Sequence, residues 1–224
     1  MTIYVELYWP PVDLQAVCLS QTVTDIFPAK LNGTLANYVT NQISFIEAGF
    51  SRSVSITSAS DNSDITFTVA GLQNGVPVSE DIVGPNATTV FGIKAFDVIT
   101  SITVPELKFA EDVTIGTGTV GYLPLIKVDT AMHTATLNYA MQSVFPEPSG
   151  NTIKYSLYRS LAKIPQLGRS YDDLTENTDY FNLASVDVDQ PVLFHESSVM
   201  NCYLFNITES TDTDFLRVIY MQVQ

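Results

Sequence analysis

The chain has 224 residues, 46% hydrophobic and only 15% charged, which supports a substantial core and excludes an intrinsically disordered chain. Its 24 acidic against 10 basic side chains give a formal charge of −14, which argues against nucleic-acid binding, since that affinity rests on Lys and Arg displacing phosphate counterions. No apolar run reaches the ~18 residues that a bilayer-crossing helix needs, so no membrane partner is expected. Met1–Glu6 lacks the basic start and apolar run of a signal peptide, and the expectation is a soluble product made in a cytoplasm. Without secretion, the sequons at Asn32, Asn86 and Asn206 carry no weight. Cys18 and Cys202, the only thiols, lie far apart and are read as small buried hydrophobes, reduced and unconnected.

In chain order, residues 3–8 alternate Ile3, Val5 and Leu7 against Tyr4, Glu6 and Tyr8, a strand closed by Pro10-Pro11. It is either core or an arm that packs on a neighbour. Val17–Val23 reads as a strand and Leu31–Leu35 as a tight reversal, whereas 37–50 give no clear period. Val54 and Ile56 share one face of a strand over Arg52–Ser58. Next comes the clearest unit of the chain, a hairpin. Ile65–Val69 alternates apolar and hydroxyl residues, Asn74-Gly75 favours a reversal through positive φ, and Val76–Val83 returns. Pro77 lacks an amide donor and so fits an edge strand. Gly84-Pro85-Asn86 ends the unit, and strands are predicted at Thr88–Ile93, Val98–Val104 and Val113–Ile115.

Pro124–Asp129 reads as a crossing into a second half. There strands are predicted at Thr134–Gln142, Ile153–Arg159, Pro191–His195, Val199–Thr208 and Phe215–Val223, with a turn at Pro146–Asn151 and a polar loop over Pro165–Asn182. Both faces of Val199–Thr208 and Phe215–Val223 are largely apolar, which suits either a central strand or a face covered by another subunit. No helix of three turns is expected. The predicted fold is therefore all-β, with two antiparallel β-sandwich or jelly-roll-like lobes over 1–128 and 129–224.

Gly116-Thr117-Gly118-Thr119-Val120-Gly121 matches a dinucleotide-binding pattern, but Tyr122-Leu123-Pro124 follows where a helix must begin. A glycine-rich strand is the better reading. His133 and His195 are the only imidazoles, no serine sits in a G-x-S-x-G elbow, and the carboxylate clusters at Asp61/Asp64, Asp172/Asp173/Glu176/Asp179, Asp187/Asp189 and Asp212/Asp214 follow no calcium-loop spacing. These read as solvated turns. No catalytic residue, metal ligand or cofactor is assigned, and although a two-carboxylate glycosidase needs its pair only to meet in space, nothing singles out two residues.

Arg52–Ser58, Asp61-Asn62-Ser63, Thr66–Val69 with Gly71, Ser79-Glu80, Gly84–Val90, Phe96, Thr100-Ser101-Ile102 and Val113–Thr117 together resemble a recurrent family of tailed-bacteriophage virion proteins. Val17–Gln21 and Leu31–Leu35 resemble its opening, so the likeness covers roughly 14–121, while Glu47–Phe50 and the half after 130 are unmatched. The resemblance implies a non-enzymatic structural component of the virion, assembled in the host cytoplasm. The expected position is a capsid decoration or cement protein, with the major capsid protein or other virion proteins as partners and a homo-oligomeric arrangement on the particle. A tail, neck or fibre-base component is the alternative, and a host-glycan hydrolase a distant third. Tyr4, Tyr8, Trp9, Tyr171, Tyr180 and Phe181 are the expected protein-contact residues.

Overall fold

The computed structural model describes residues 2–23, 27–104, 111–127, 138–144, 153–160, 170–176, 178–187, 193–196, 202–210 and 216–223. The turn at Pro146–Asn151, His133, Asp189, Asp212 and Asp214 lie outside them. The first strands in chain order are β1 (Thr2–Trp9), β2 (Cys18–Val23), β3 (Phe27–Pro28), β4 (Ala36–Asn37), β5 (Gln42–Ser44) and β6 (Ser51–Ser58). They are followed by β7 (Thr66–Gln73), β8 (Val76–Val83), β9 (Thr89–Phe91), β10 (Val98–Val104), β11 (Glu111–Tyr122) and β12 (Ile126–Lys127). The chain continues with β13 (Asn138–Val144), β14 (Lys154–Ser160), β15 (Phe181–Asp187), β16 (Leu193–Glu196), β17 (Cys202–Glu209) and β18 (Leu216–Val223). Among the described residues the only helical element is a 3₁₀ turn at Tyr171–Asp173. The protein is all-β, and its described sheets are antiparallel.

Two compact units divide the chain. One comprises Val12–Gly121 with Ser170–Asp172. In it the strands run β4-β5-β10-β7-β8, with β3 also on β10, and separately β2-β11-β6-β9. The hairpin is the clearest case of sequence dictating structure. Inward positions Phe67, Val69, Gly71 and Gln73 are buried while their neighbours are partly open, as a period of two requires. Gln73 pairs with Val76 across a two-residue turn in which Asn74 and Gly75 have φ of 51° and 74°. β8 is the edge strand that Pro77 foretold. Its edge is blunted a second time, because Lys94 Nζ donates to the Ser79 carbonyl at 2.9 Å. The core includes Ile43, Phe45, Val54, Ile56, Phe67, Val69, Phe96, Ile99 and Ile102, all essentially inaccessible.

The other unit comprises Met1–Pro11, Tyr122–Arg169 and Asp173–Gln224. Its strands run β1-β18-β13-β16, and β15-β14-β17 with β12 on the far side of β17. β1 is no loose arm: it pairs residue for residue with β18, from Thr2 opposite Val223 to Trp9 opposite Leu216. Both apolar strands of the second half are central. β18 is flanked by β1 and β13, and β17 by β14 and β12. Tyr155, Leu157, Tyr203, Leu204, Phe205 and Ile207 form this core, and the Tyr155 and Phe205 rings meet at 5.6 Å.

The glycine-rich stretch lies within β11, as expected of a strand. Its glycines serve close packing: a Cβ on Gly118 would overlap Ser53, and one on Gly116 would overlap the backbone of Asp13 and Leu14. Elements that escaped the sequence reading include the two-residue strands β3 and β12. The β4–β5 hairpin falls in 37–50, where strands of two and three residues are too short to show a period. β15 begins at Phe181, inside the segment read as a polar loop.

Candidate protein-contact surface

The structure separates the six expected contact residues into different roles. Tyr4 lies in β1 opposite Met221. Tyr8 is exposed, whereas Trp9 is completely buried and its indole Nε1 donates to Ser210 Oγ at 3.3 Å. Trp9 is thus a core anchor, because removing so large a ring from solvent outweighs any surface use. Tyr171 is half-buried in the 3₁₀ turn, and the following residue is clamped twice: Asp172 N donates to Gln73 Oε1 at 3.1 Å, and Gln73 Nε2 donates to Asp172 Oδ2 at 3.0 Å. Tyr180 stacks on Tyr158 with ring centroids 4.0 Å apart, and Asn206 Nδ2 donates to the Tyr158 hydroxyl at 3.0 Å. Burial, then the hydrogen bond with Tyr158, pushes the Tyr180 phenol up to about 12. Phe181 beside it is exposed.

Carboxylates singled out in the sequence close turns. Asp61 Oδ1 accepts from the Ser63 amide at 3.0 Å and its hydroxyl at 2.6 Å. Asp179 is buried, and its Oδ2 accepts from the Thr175 amide at 2.8 Å. Among the described residues no three His, Cys, Asp or Glu side chains gather where a metal could sit.

A buried polar knot, not legible in the sequence, lies between β6, β10 and the β7–β8 turn. Asp97 accepts from the Ser51 hydroxyl and, through Oδ2, from the Asn74 amide at 2.5 Å. Burial raises its carboxyl above the usual range, and these two bonds only partly offset that. Next to it Arg52 is fully buried, donates from Nε to the Gly118 carbonyl at 2.6 Å, and sits 5.9 Å from the Phe50 ring centroid. Burial pulls its guanidinium down to about 9, against the favourable charge of Asp13. These groups fix strands to one another.

Large apolar side chains reach solvent at several places in the unit of residues 12–121, among them two held by side-chain hydrogen bonds to backbone amides. At the end of β9 Phe91 is 45% exposed, and just after it Ile93 is 78% exposed. The Glu80 carboxylate holds that segment, accepting from the Ile93 amide at 2.7 Å and the Lys94 amide at 3.1 Å. At the tip of the β4–β5 hairpin, Tyr38 and Val39 are 79% and 95% exposed. Asn37 Oδ1 accepts there from the amides of Val39 at 3.0 Å and Thr40 at 3.2 Å, and Asn41 takes a φ of 52°. Backbone order at both places lowers the entropy lost on contact. The sequence reading places Phe91 and Ile93 in a predicted strand over Thr88–Ile93, whereas no period marks Tyr38 and Val39.

The outer face of β10-β7-β8 carries a groove of about 360 Å³ lined by Ala70, Leu72, Pro77, Ser79 and Thr100. Its cause is local: Ala70 lies opposite Ser79, two small side chains, while Leu72 opposite Pro77 forms a wall.

Cys18 and Cys202 are buried and form no disulfide, and burial pushes Cys18 up to about 12 despite hydrogen bonds from Gln21 and Asn32. A thiolate-selective reagent should therefore label Cys18 only after denaturation. Stoichiometric labelling of the native protein within minutes at neutral pH would contradict this burial.

No family model matches the chain, and no curated protein or solved structure is similar to it.

Proposed function

We propose that this chain is a non-enzymatic structural protein of a tailed-bacteriophage virion, placed on the head as a decoration or cement protein that binds the major capsid protein. Two things support this reading. The first is the resemblance over roughly 14–121, whose motif residues fall on β2, on the strands β6 to β11 and on the turns between them. The second, which carries it, is the presentation of Phe91 and Ile93 by a segment that Glu80 locks in place. An apolar side chain held out by an ordered backbone suits docking on a preformed surface, because little freedom remains to be lost. The acidic balance favours a shell with basic patches, an attraction that salt screens. The same proposal takes each unit as a β-sandwich-like lobe. Its support is the alternation of buried and open positions along β7 and β14.

Quantitative mass spectrometry of purified particles tests the placement. The expected copy number scales with the capsomers of the shell, and particles assembled without the chain should lose resistance to heat or osmotic shock. A copy number as low as that of a tail component points to tail, neck or fibre base and overturns the head assignment. Intact, infectious particles lacking the chain, together with glycan cleavage by the isolated protein, would overturn the structural role altogether.

A further inference from the structure

We infer that the β7–β8 turn is a site of covalent modification, where Asn74 converts to aspartate and isoaspartate through an imide formed with Gly75, while Asn32 is protected. Asparagine is followed by glycine twice in the chain, at 32–33 and at 74–75, so sequence alone does not choose between them. In the reaction the backbone nitrogen of Gly75 gives its proton to hydroxide and attacks Cγ of Asn74. An N–Cγ bond forms, the Cγ–Nδ2 bond breaks, and ammonia leaves. Water then opens the imide at either carbonyl, giving aspartate or, with an extra carbon in the main chain, isoaspartate. Nothing is oxidised or reduced, and water is the only co-reactant.

The fold closes this route at one pair and leaves it open at the other. Ring closure needs an available amide nitrogen, room beside it, and an asparagine Cγ that can approach it. Gly33 supplies neither nitrogen nor room. Its amide donates to the Val17 carbonyl at 2.9 Å, and the backbone of Gln15 and Ala16 fills the place where a Cβ would stand. Asn32 Oδ1 also accepts from the Leu19 amide at 3.0 Å and from Gln21 Nε2 at 3.4 Å, so swinging Cγ toward Gly33 disrupts both bonds. Gly75 is the opposite case. It is exposed at the hairpin tip with a φ of 74°, nothing lies within 4 Å of a Cβ position, and among the described residues its amide donates no hydrogen bond.

The product bears on the polar knot. Asn74 N donates to Asp97 Oδ2 at 2.5 Å, so a carboxylate at 74 brings like charge toward a buried carboxyl. Gln73 pairs with Val76 across these two residues alone, and a lengthened main chain no longer fits a two-residue turn. The hairpin then opens from its tip. This inference does not rest on the virion assignment.

Ageing the folded full chain in heavy-oxygen water at mildly alkaline pH is the test, followed by digestion in acid and peptide mass mapping. Only asparagines hydrolysed during the incubation take up the label, and electron-based fragmentation separates aspartate from isoaspartate. Label should enter at Asn74 about tenfold or more faster than at Asn32. In denaturant the two pairs should be labelled at comparable rates, because the protection of Asn32 comes from the fold. Hydrogen exchange at Gln73 and Val76 should be faster in the modified fraction than in the unmodified one. A folded chain that takes up no label at Asn74, or takes it up at Asn32 as fast, overturns the inference. So does a preference for Asn74 that persists unchanged in denaturant, which would assign it to local sequence. Unaltered exchange in the modified fraction would overturn the opening of the hairpin.

Discussion

Replacing Gly71 with alanine should destabilise the protein by about 3 kcal/mol and lower its melting temperature by roughly 10 °C. Gly71 faces inward at the middle of β7, opposite Ile99 of β10. A Cβ built there falls inside the envelope of the Val98 carbonyl oxygen and 2.9 Å from Phe96 Cδ1. The first obstacle is backbone. It can retreat only by disturbing a ladder that includes the bond from Asp97 N to the Leu72 carbonyl, 2.7 Å long. The Phe96 ring is itself fully buried and has nowhere to turn. A control at the exposed Thr103, changed to serine, should shift stability by no more than about 0.5 kcal/mol. Denaturant titration checks both, and a Gly71→Ala protein as stable as the parent would show that β7 and β10 are not packed as described.

Asp97→Ala should cost about 3 kcal/mol, and Asp97→Asn less than half of that. Alanine leaves the Asn74 amide and the buried Ser51 hydroxyl without this acceptor. Asparagine keeps a carbonyl oxygen for the Asn74 amide, and the Ser51 hydroxyl can turn to accept from the new NH₂ group. The two variants also differ from the parent in pH dependence. Burial raises the carboxyl of Asp97 above its ordinary 3.8, so the folded state holds this proton more tightly than the unfolded chain. Its stabilising contribution is full below that ordinary value and declines as pH rises through the folded-state value. The stability of the parent relative to Asp97→Asn should therefore fall on going from acid toward neutral pH and then level off. A difference that is flat, or that rises with pH, would mean that Asp97 is not desolvated as found.

The β7–β8 hairpin was legible because three independent signals coincide in it: alternation over Ile65–Val69, the Asn74-Gly75 pair and Pro77 on an edge. β10 matches its predicted range of Val98–Val104 for a related reason, since every residue of it except Ser101 is β-branched. The short β4–β5 hairpin was not legible, because its form comes from Asn37 and Asn41 acting on the backbone and not from a hydrophobic period. The Asp97 knot was hidden for a different reason. Its partners come from β6 and from the β7–β8 turn, so only folding brings them together. Candidate contact residues fared unevenly on the same principle. Aromaticity marks Tyr8 and Trp9 alike, but consecutive strand residues point to opposite faces, and the covered face is set by residues distant in sequence such as Ser210, which accepts from the Trp9 indole.

The pairing of β1 with β18 has a kinetic consequence during synthesis. β1 finds its partner only after Leu216–Val223 has emerged, so it must wait while everything between the two strands is made. The body formed chiefly by Val12–Gly121 is nearly continuous in sequence and can take shape during that wait. Until its partner arrives, the unpaired first strand offers other nascent chains an open edge, which makes crowded translation its most hazardous period. Because Trp9 is the sole tryptophan of the sequence and ends the strand paired with β18, its fluorescence reports on the formation of that pairing.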